Sequence, residues 1–144
     1  MKNQYGYRAM QILVVDDSPV ARIALRGMLE TAGFTVIEAS GGNEGLSTFC
    51  RTGADVVLCD LFMPGCDGIQ VIRELRREFP GVKVIAMSGG SHDRTLDWLP
   101  EARRVGADEV LYKPFGPATL LSAIRQVLQK SAWKSASAYA VVSA

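Results

Sequence analysis

Short apolar runs alternate with longer stretches of helical period along the chain. The runs have the length and the β-branched content of buried strands. They lie at Gln11–Val15, Phe34–Ala39, Asp55–Cys59, Val82–Met87 and Glu109–Tyr112. A helical segment follows each run, so the pattern predicts five β/α units. Strict alternation of this kind is typical of a parallel sheet that is covered by helices on both faces.

The helical segments begin with residues that favour helix starts. Ser18 and Pro19 are the residue types preferred at an N-cap and at the first helical position, and Asp67 is a second predicted N-cap. Pro100 indicates either a kink or the true beginning of an uneven helix over residues 95–105. The predicted fold class is therefore α/β, a doubly wound five-stranded parallel sheet with five helices.

The length and composition bound the domain organisation. The chain has 144 residues, of which 48% are hydrophobic, which is typical of one packed globular domain. We predict an N-terminal lead at 1–10, one domain at 11–130, and a tail or linker at 131–144. Nine of the last fourteen residues are Ser or Ala, which suits a frayed helical extension followed by a tail.

Charge and cysteine content exclude several classes of function. Lys and Arg number 16 against 15 Asp and Glu, so there is no general electrostatic reason to bind nucleic acid directly or an anionic membrane. No apolar run has the length of a membrane span, and no secretory signal is visible, so we expect no membrane insertion and a cytoplasmic location. The three cysteines lack CxxC spacing, which favours reduced thiols over a disulfide framework or a zinc site.

Polar side chains follow four of the five predicted strands. Asp16 and Asp17 follow the first strand, Asp60 the third, Ser88 the fourth and Lys113 the fifth. Each alone has an ordinary explanation as a helix cap, a turn residue or a surface charge. Ligands of open α/β sheets bind at the carboxyl ends of the strands, however, and all five side chains are predicted to meet there.

Three carboxylates at one edge point to metal-assisted phosphoryl chemistry. Neighbouring carboxylates repel one another and raise the pKa of at least one member. A hard divalent cation neutralises this repulsion between the carboxylates. Mg²⁺ suits such oxygen ligands best, and Mn²⁺ could take its place. A carboxylate beside such a cation can act as a nucleophile and form an aspartyl phosphate. Ser88 and Lys113 would then bind the phosphoryl oxygens.

The stretches that carry these residues resemble a response-regulator receiver domain of the CheY-like family. They are VVDDSPVAR at 14–22, VVLCDLFMPGCDGIQVIRELR at 56–76, AMSGG at 86–90 and GADEVLYKPF at 106–115. The resemblance runs from about residue 11 to 130. It implies a flavodoxin-like sheet of strand order 2-1-3-4-5, which is the known order of that family.

The resemblance also implies the acceptor and its metal ligands. Asp60 is the implied phosphoacceptor. Asp17 and Asp60 would bind Mg²⁺ directly together with the backbone carbonyl of Phe62, and Asp16 would act on the metal largely through water.

The remaining implied roles concern the phosphoryl group and the switch. Ser88 and Lys113 would bind the phosphoryl oxygens, and the bond between Lys113 and Pro114 would be cis. The family's switch aromatic lies three residues before the lysine, where this chain has Val110. Tyr112 is the nearby aromatic side chain that would have to substitute for it.

The implied function is that of a phosphorelay receiver in a two-component system. A sensor histidine kinase or a histidine phosphotransferase would phosphorylate Asp60, and the new charge would switch a surface that binds a downstream protein. Such a domain is a signalling phosphoacceptor that transfers phosphate only to and from itself, not an enzyme acting on other substrates. The alternative is a phosphorylation-independent docking module, which Val110 favours. A Mg²⁺-dependent phosphatase ranks last, because Phe62 stands where such enzymes carry a second acid.

Overall fold

The computed structural model describes residues 9–63, 66–89 and 98–142. Seven strands and five helices lie in these ranges. In chain order they are β1 (Gln11–Val15), α1 (Pro19–Thr31), β2 (Thr35–Ala39), α2 (Gly42–Thr52), β3 (Val56–Asp60), β4 (Phe62–Met63), β5 (Cys66–Asp67), α3 (Gly68–Glu78), β6 (Val84–Gly89), α4 (Leu99–Val105), β7 (Glu109–Lys113) and α5 (Pro117–Val142).

Five of the strands form one parallel sheet of order β2-β1-β3-β6-β7. Counting only these five strands along the chain gives the order 2-1-3-4-5, so the predicted fold class is confirmed. The numbering differs because β4 and β5 form a separate antiparallel pair of two residues each, directly after β3. This small hairpin lies between β3 and α3.

The sheet is buried on both faces, as its apolar strands predict. Along β1, Leu13 and Val15 pack into the cluster that α2, α3 and α4 cover, whereas Ile12 and Val14 pack on the other side with α1 and α5. All four side chains are at most 1% exposed. Alternate residues of a strand face opposite sides, so a continuous apolar run is needed when helices cover both sides.

The predicted helix starts at Ser18 and Asp67 are confirmed. The hydroxyl of Ser18 accepts a hydrogen bond from the backbone N–H of Ala21 at 3.2 Å. The carboxylate of Asp67 accepts one from the N–H of Ile69 at 2.9 Å. These side chains satisfy N–H groups that the first turn of a helix leaves without a partner.

Three strands and the last helix extend further toward the C-terminus than the sequence predicts. β3 includes Asp60, β6 continues to Gly89, so Ser88 lies inside the strand and not after it, and β7 includes Lys113. The extensions of β6 and β7 are held by the pairing between them, in which Ser88 stands opposite Tyr112. The backbone of α5 is helical through Val142, without a break near residue 130.

Pro100 marks the beginning of the fourth helix, which is one of the two alternatives that the sequence leaves open. The helix begins at Leu99, and Pro100 occupies its first turn. A proline is tolerated there because the backbone N–H groups of a first turn have no partner within the helix. The first part of the predicted helix, residues 95–97, lies outside the described residues. Among the helices that are described, none is long and apolar enough to cross a membrane.

Candidate functional site

The structure brings together the three carboxylates that the sequence predicts at the sheet edge. Asp16 follows β1 and Asp60 ends β3, and these strands are neighbours, with Val15 paired to Cys59. One carboxylate oxygen from each of Asp16, Asp17 and Asp60 lies within 4.8 Å of the others. An all-oxygen donor set of this kind fits a hard divalent cation such as Mg²⁺.

The carboxylate of Asp60 is buried and has a raised pKa. Its exposed fraction is 6%, and this burial raises its pKa to about 6. The negative charges of Asp16 and Asp17 act in the same direction. The ammonium of Lys113 and the backbone N–H of Phe62, which donates to Oδ1 at 3.3 Å, act in the opposite direction. A cation bound among these carboxylates would remove much of the cost of ionising Asp60.

Lys113 bridges the two buried carboxylates. Its Nζ atom lies 2.5 Å from Oδ2 of Asp16 and 3.7 Å from Oδ2 of Asp60. Asp16 is fully buried, and its Oδ1 also accepts a hydrogen bond from the N–H of Ser18 at 2.9 Å. Because an unpaired buried carboxylate is costly, Lys113 has a structural role at Asp16 in addition to any contact with a phosphoryl group.

The residues assigned to the switch lie on β6 and β7. Ser88 is half-buried and follows Met87, which pairs with Asp60 on the neighbouring strand. Val110 is partly buried against the core beneath α4, whereas Tyr112 is 60% exposed. The peptide bond from Lys113 to the next residue, Pro114, is cis.

Arg22 is a residue of the site that sequence reasoning missed. Its Nη1 atom donates to the backbone carbonyl of Asp16 at 2.7 Å, and its Nε atom donates to Glu38 of β2 at 3.1 Å. The side chain therefore ties the segment after β1 to the neighbouring strand. The sequence did contain a signal for this contact. Arg22 lies one helical turn after Ser18, and helical side chains point toward the N-terminal end of the helix, so Arg22 can reach back to Asp16.

Gly68 allows α3 to begin directly against the end of β3. A side-chain carbon at this position would collide with the backbone carbonyl of Asp60 and lie 2.6 Å from the Cα atom of Leu61. The N–H of Gly68 donates to the carbonyl of Leu61 at 3.2 Å. This close approach fixes the backbone on either side of the Asp60 carboxylate.

Comparison with known proteins gives one consistent family. The sequence model of the family described as "Response regulator receiver domain" matches residues 12–125 of this chain. Protein PilH of Pseudomonas aeruginosa is 37% identical over 120 residues, which cover 82% of this chain and 97% of PilH. The probable transcriptional regulator ycf27 of Porphyridium aerugineum is 39% identical over 122 residues, 83% of this chain and 48% of that protein. The transcriptional regulatory protein ResD of Bacillus subtilis is 32% identical over 125 residues, 87% of this chain and 50% of ResD.

Solved structures agree with the sequence relatives. A CheY-like receiver domain protein from Methanospirillum hungatei JF-1 superposes with a TM-score of 0.80 at 26% identity, covering 88% of this chain and 99% of that one. The chemotaxis protein CheY4 of Vibrio cholerae gives 0.75 at 28% identity, covering 83% and 99%. The chain thus spans nearly all of some relatives and about half of ycf27 and ResD.

Proposed function

Because the chain belongs to the response regulator receiver domains of two-component systems, we propose that Asp60 accepts a phosphoryl group from a sensor histidine kinase or a histidine phosphotransferase. The observation that carries this proposal is the meeting of three carboxylates and one ammonium at the carboxyl edge of the sheet. Asp60 is the buried acid among them that ends a central strand and receives an N–H from the loop that follows.

In the proposed reaction, a carboxylate oxygen of Asp60 attacks the phosphorus atom. The new O–P bond forms as the P–N bond to the donor histidine breaks, and the imidazole nitrogen keeps the electron pair and takes up a proton. The attacking group must be ionised, and with a pKa of about 6 most of Asp60 is a carboxylate at neutral pH. Ser88 and Lys113 would bind the phosphoryl oxygens of the product.

The proposed metal site consists of Asp16, Asp17 and Asp60 with the backbone carbonyl of Phe62. The fit rests on the all-oxygen donor set and on the mutual distances of the carboxylates. When bound, Mg²⁺ or Mn²⁺ supplies positive charge against the phosphoryl oxygens and the clustered acids. The chain's own contribution is to hold these oxygens close together at a rim that Lys113 partly neutralises.

The proposed output is a protein–protein switch. A phosphoryl group replaces the single charge of the Asp60 carboxylate with about two negative charges beside Lys113 and Ser88, both of which lie on the last two strands of the sheet. We expect this charge to rearrange the surface formed by β6, α4 and β7, which would then bind a downstream protein in the cytoplasm. We expect neither direct binding to nucleic acid nor insertion into a membrane.

The proposal is tested by incubating the protein with acetyl phosphate and Mg²⁺ and measuring the intact mass. The wild type should gain one phosphoryl mass, and excess EDTA should prevent the gain. Asp60→Asn should gain none, whereas Glu78→Gln, which changes an exposed acid on α3, should behave as the wild type. A folded wild type that gains no mass would contradict the proposal.

A phosphorylation-independent docking module is the second candidate. The observation that favours it is Val110, which packs against the core where the family has its switch aromatic, while Tyr112 is exposed. Beryllofluoride with Mg²⁺, a phosphoryl mimic, distinguishes the two candidates. A receiver should show shifted amide resonances in α4 and β7, and a docking module should show them at the metal site alone.

A further inference from the structure

An aromatic contact joins Phe62, in the small hairpin after β3, to Trp98, the residue directly before α4. The rings of Phe62 and Trp98 are 6.4 Å apart between centroids and inclined at 72°. This edge-to-face geometry is the favoured one for aromatic pairs. The two side chains are 45% and 40% exposed, so neither ring is fixed by burial in the core. The contact between them is one restraint on the two side chains.

On one side, the contact leads to the Asp60 carboxylate. The N–H of Phe62 donates to Oδ1 of Asp60, and Phe62 pairs with Asp67 in the small hairpin. The N–H of the intervening Leu61 donates to the carbonyl of Met87 at 2.9 Å. The backbone of Phe62 is thus held next to the carboxylate.

On the other side, the contact leads into the core beneath α4. The carbonyl of Trp98 accepts a hydrogen bond from the N–H of Ala102 at 3.0 Å, which is part of the first turn of α4. Ala102 is fully buried, and its own carbonyl accepts a bond from the N–H of Ala107 at 2.9 Å, in the segment before β7. The backbone of Trp98 is therefore bonded directly to the first turn of α4.

We propose that the Phe62–Trp98 contact couples cation binding at Asp60 to the position of α4, and that Trp98 is a positioning residue for the cation site, acting through Phe62. The proposal rests on the proposed cation site and not on phosphoryl transfer. Coupling between two sites is reciprocal, so a cation at Asp60 alters the surroundings of Trp98, and loss of the Trp98 ring weakens cation binding. The strength of an aromatic pair limits this weakening to about two- to tenfold.

The first arm of the test uses the fluorescence of Trp98. In a Trp133→Phe background, Trp98 is the sole tryptophan of the chain. Titration with Mg²⁺ alone should change its emission in a saturable manner, and Phe62→Leu in the same background should remove most of the change. Phe62→Tyr keeps an aromatic ring and should restore it. An emission that stays constant through saturation, or a full response in Phe62→Leu, would overturn the proposal.

The second arm is a double-mutant cycle on Mg²⁺ affinity, followed by amide resonances near Asp60. Phe62→Leu and Trp98→Leu should each weaken binding by about two- to tenfold. The Mg²⁺ affinity of the double variant should equal that of the single variant with the lower affinity, because both substitutions remove the same contact. Trp98→Phe should bind nearly as the wild type. Effects that multiply in the double variant, or an unchanged affinity in Trp98→Leu, would overturn the proposal.

Both arms use Mg²⁺ without a phosphoryl donor, so they separate this coupling from the proposed function. A wild type that gains a phosphoryl mass but shows no response of Trp98 refutes the coupling alone. A wild type whose Trp98 responds to Mg²⁺ but whose mass stays constant with acetyl phosphate refutes the phosphoacceptor role and supports the coupling.

Discussion

The Nζ atom of Lys113 lies 2.5 Å from Oδ2 of Asp16, although 97 positions separate the two residues in the chain. Asp16 is fully buried and Lys113 only partly so. A buried carboxylate without a cationic partner is strongly destabilising. In the metal-free protein, Lys113 is therefore a counter-charge for Asp16 before it meets any phosphoryl group.

Lys113→Met should destabilise the metal-free protein because it leaves the Asp16 carboxylate buried without its cation. We expect a loss of about 2–4 kcal/mol in the free energy of unfolding, measured by urea denaturation in EDTA. Saturating Mg²⁺ should recover part of this loss, since a bound cation also neutralises Asp16.

Arg77→Met is the matched control for Lys113→Met. The side chain of Arg77 is 72% exposed, and its Nη2 atom lies 3.7 Å from Oε1 of Glu78. Loss of this exposed charge should change the free energy of unfolding by less than about 0.5 kcal/mol. Equal losses in the two variants would show that the pair of Lys113 and Asp16 has no special role.

Asp60→Asn should stabilise the metal-free protein, and the gain should depend on pH. Burial raises the pKa of Asp60 from 3.8 to about 6, so the folded state holds a proton that the unfolded state releases between these values. The contribution of Asp60 to stability is therefore present below about pH 4 and is lost as the pH rises through 6. Asn does not titrate, so the stability advantage of Asp60→Asn over the wild type should grow by about 1–2 kcal/mol across this pH window and stay constant above pH 7. Solvent screening at the edge of the sheet keeps this gain below the full value of the pKa difference.

The measurement is a series of urea denaturation curves in EDTA from pH 4 to pH 8, with Glu78→Gln as the control for loss of an exposed carboxylate. EDTA is essential because a bound cation would keep Asp60 ionised. A stability difference between Asp60→Asn and the wild type that is constant over this range would contradict the raised pKa.

Gly68→Ala should destabilise the protein because the added methyl group collides with the backbone of Asp60 and Leu61. Rigid backbone cannot move aside as a flexible side chain can, so we expect a loss of about 2–4 kcal/mol, as for other overpacking of a close contact. Thermal or urea unfolding measures it directly.

Gly27→Ala provides a control of opposite sign. Gly27 lies within α1 with open space around it, and alanine favours a helix over glycine by about 0.5–1 kcal/mol. If Gly68→Ala were as stable as the wild type while Gly27→Ala gained this amount, the close approach of α3 to the end of β3 would be wrong.

The sequence was sufficient to predict the parallel sheet and the position of the acids at its edge, because both depend on the local pattern of apolar and polar residues. The continuous apolar run from Ile12 to Val15 implies burial on both faces, and the switch to Asp16 marks the carboxyl end of the strand. The same reasoning places Asp60 at the end of a neighbouring strand. Parallel strand ends meet at one edge of a sheet, so the sequence alone predicts that these acids lie close together.

The contacts between distant side chains could not be predicted in this way. The pairing of Lys113 with Asp16, the bond from Arg22 to the Asp16 carbonyl and the contact of Trp98 with Phe62 depend on strand order and helix packing. The spacing of apolar residues within one strand or helix does not determine which side chains of distant elements are in contact. The placement of Ser88 inside β6 has the same origin, since pairing with β7 extends the strand beyond its apolar run.

The central claim is that Asp60 is the phosphoacceptor, and the most direct test locates the phosphoryl group. The protein is treated with acetyl phosphate and Mg²⁺, reduced with borohydride so that an aspartyl phosphate becomes homoserine, and then digested for peptide mass spectrometry. We predict homoserine at position 60 and at no other aspartate, with Asp16 and Asp17 unchanged. Homoserine at a different aspartate, or none in a folded protein, would contradict the account.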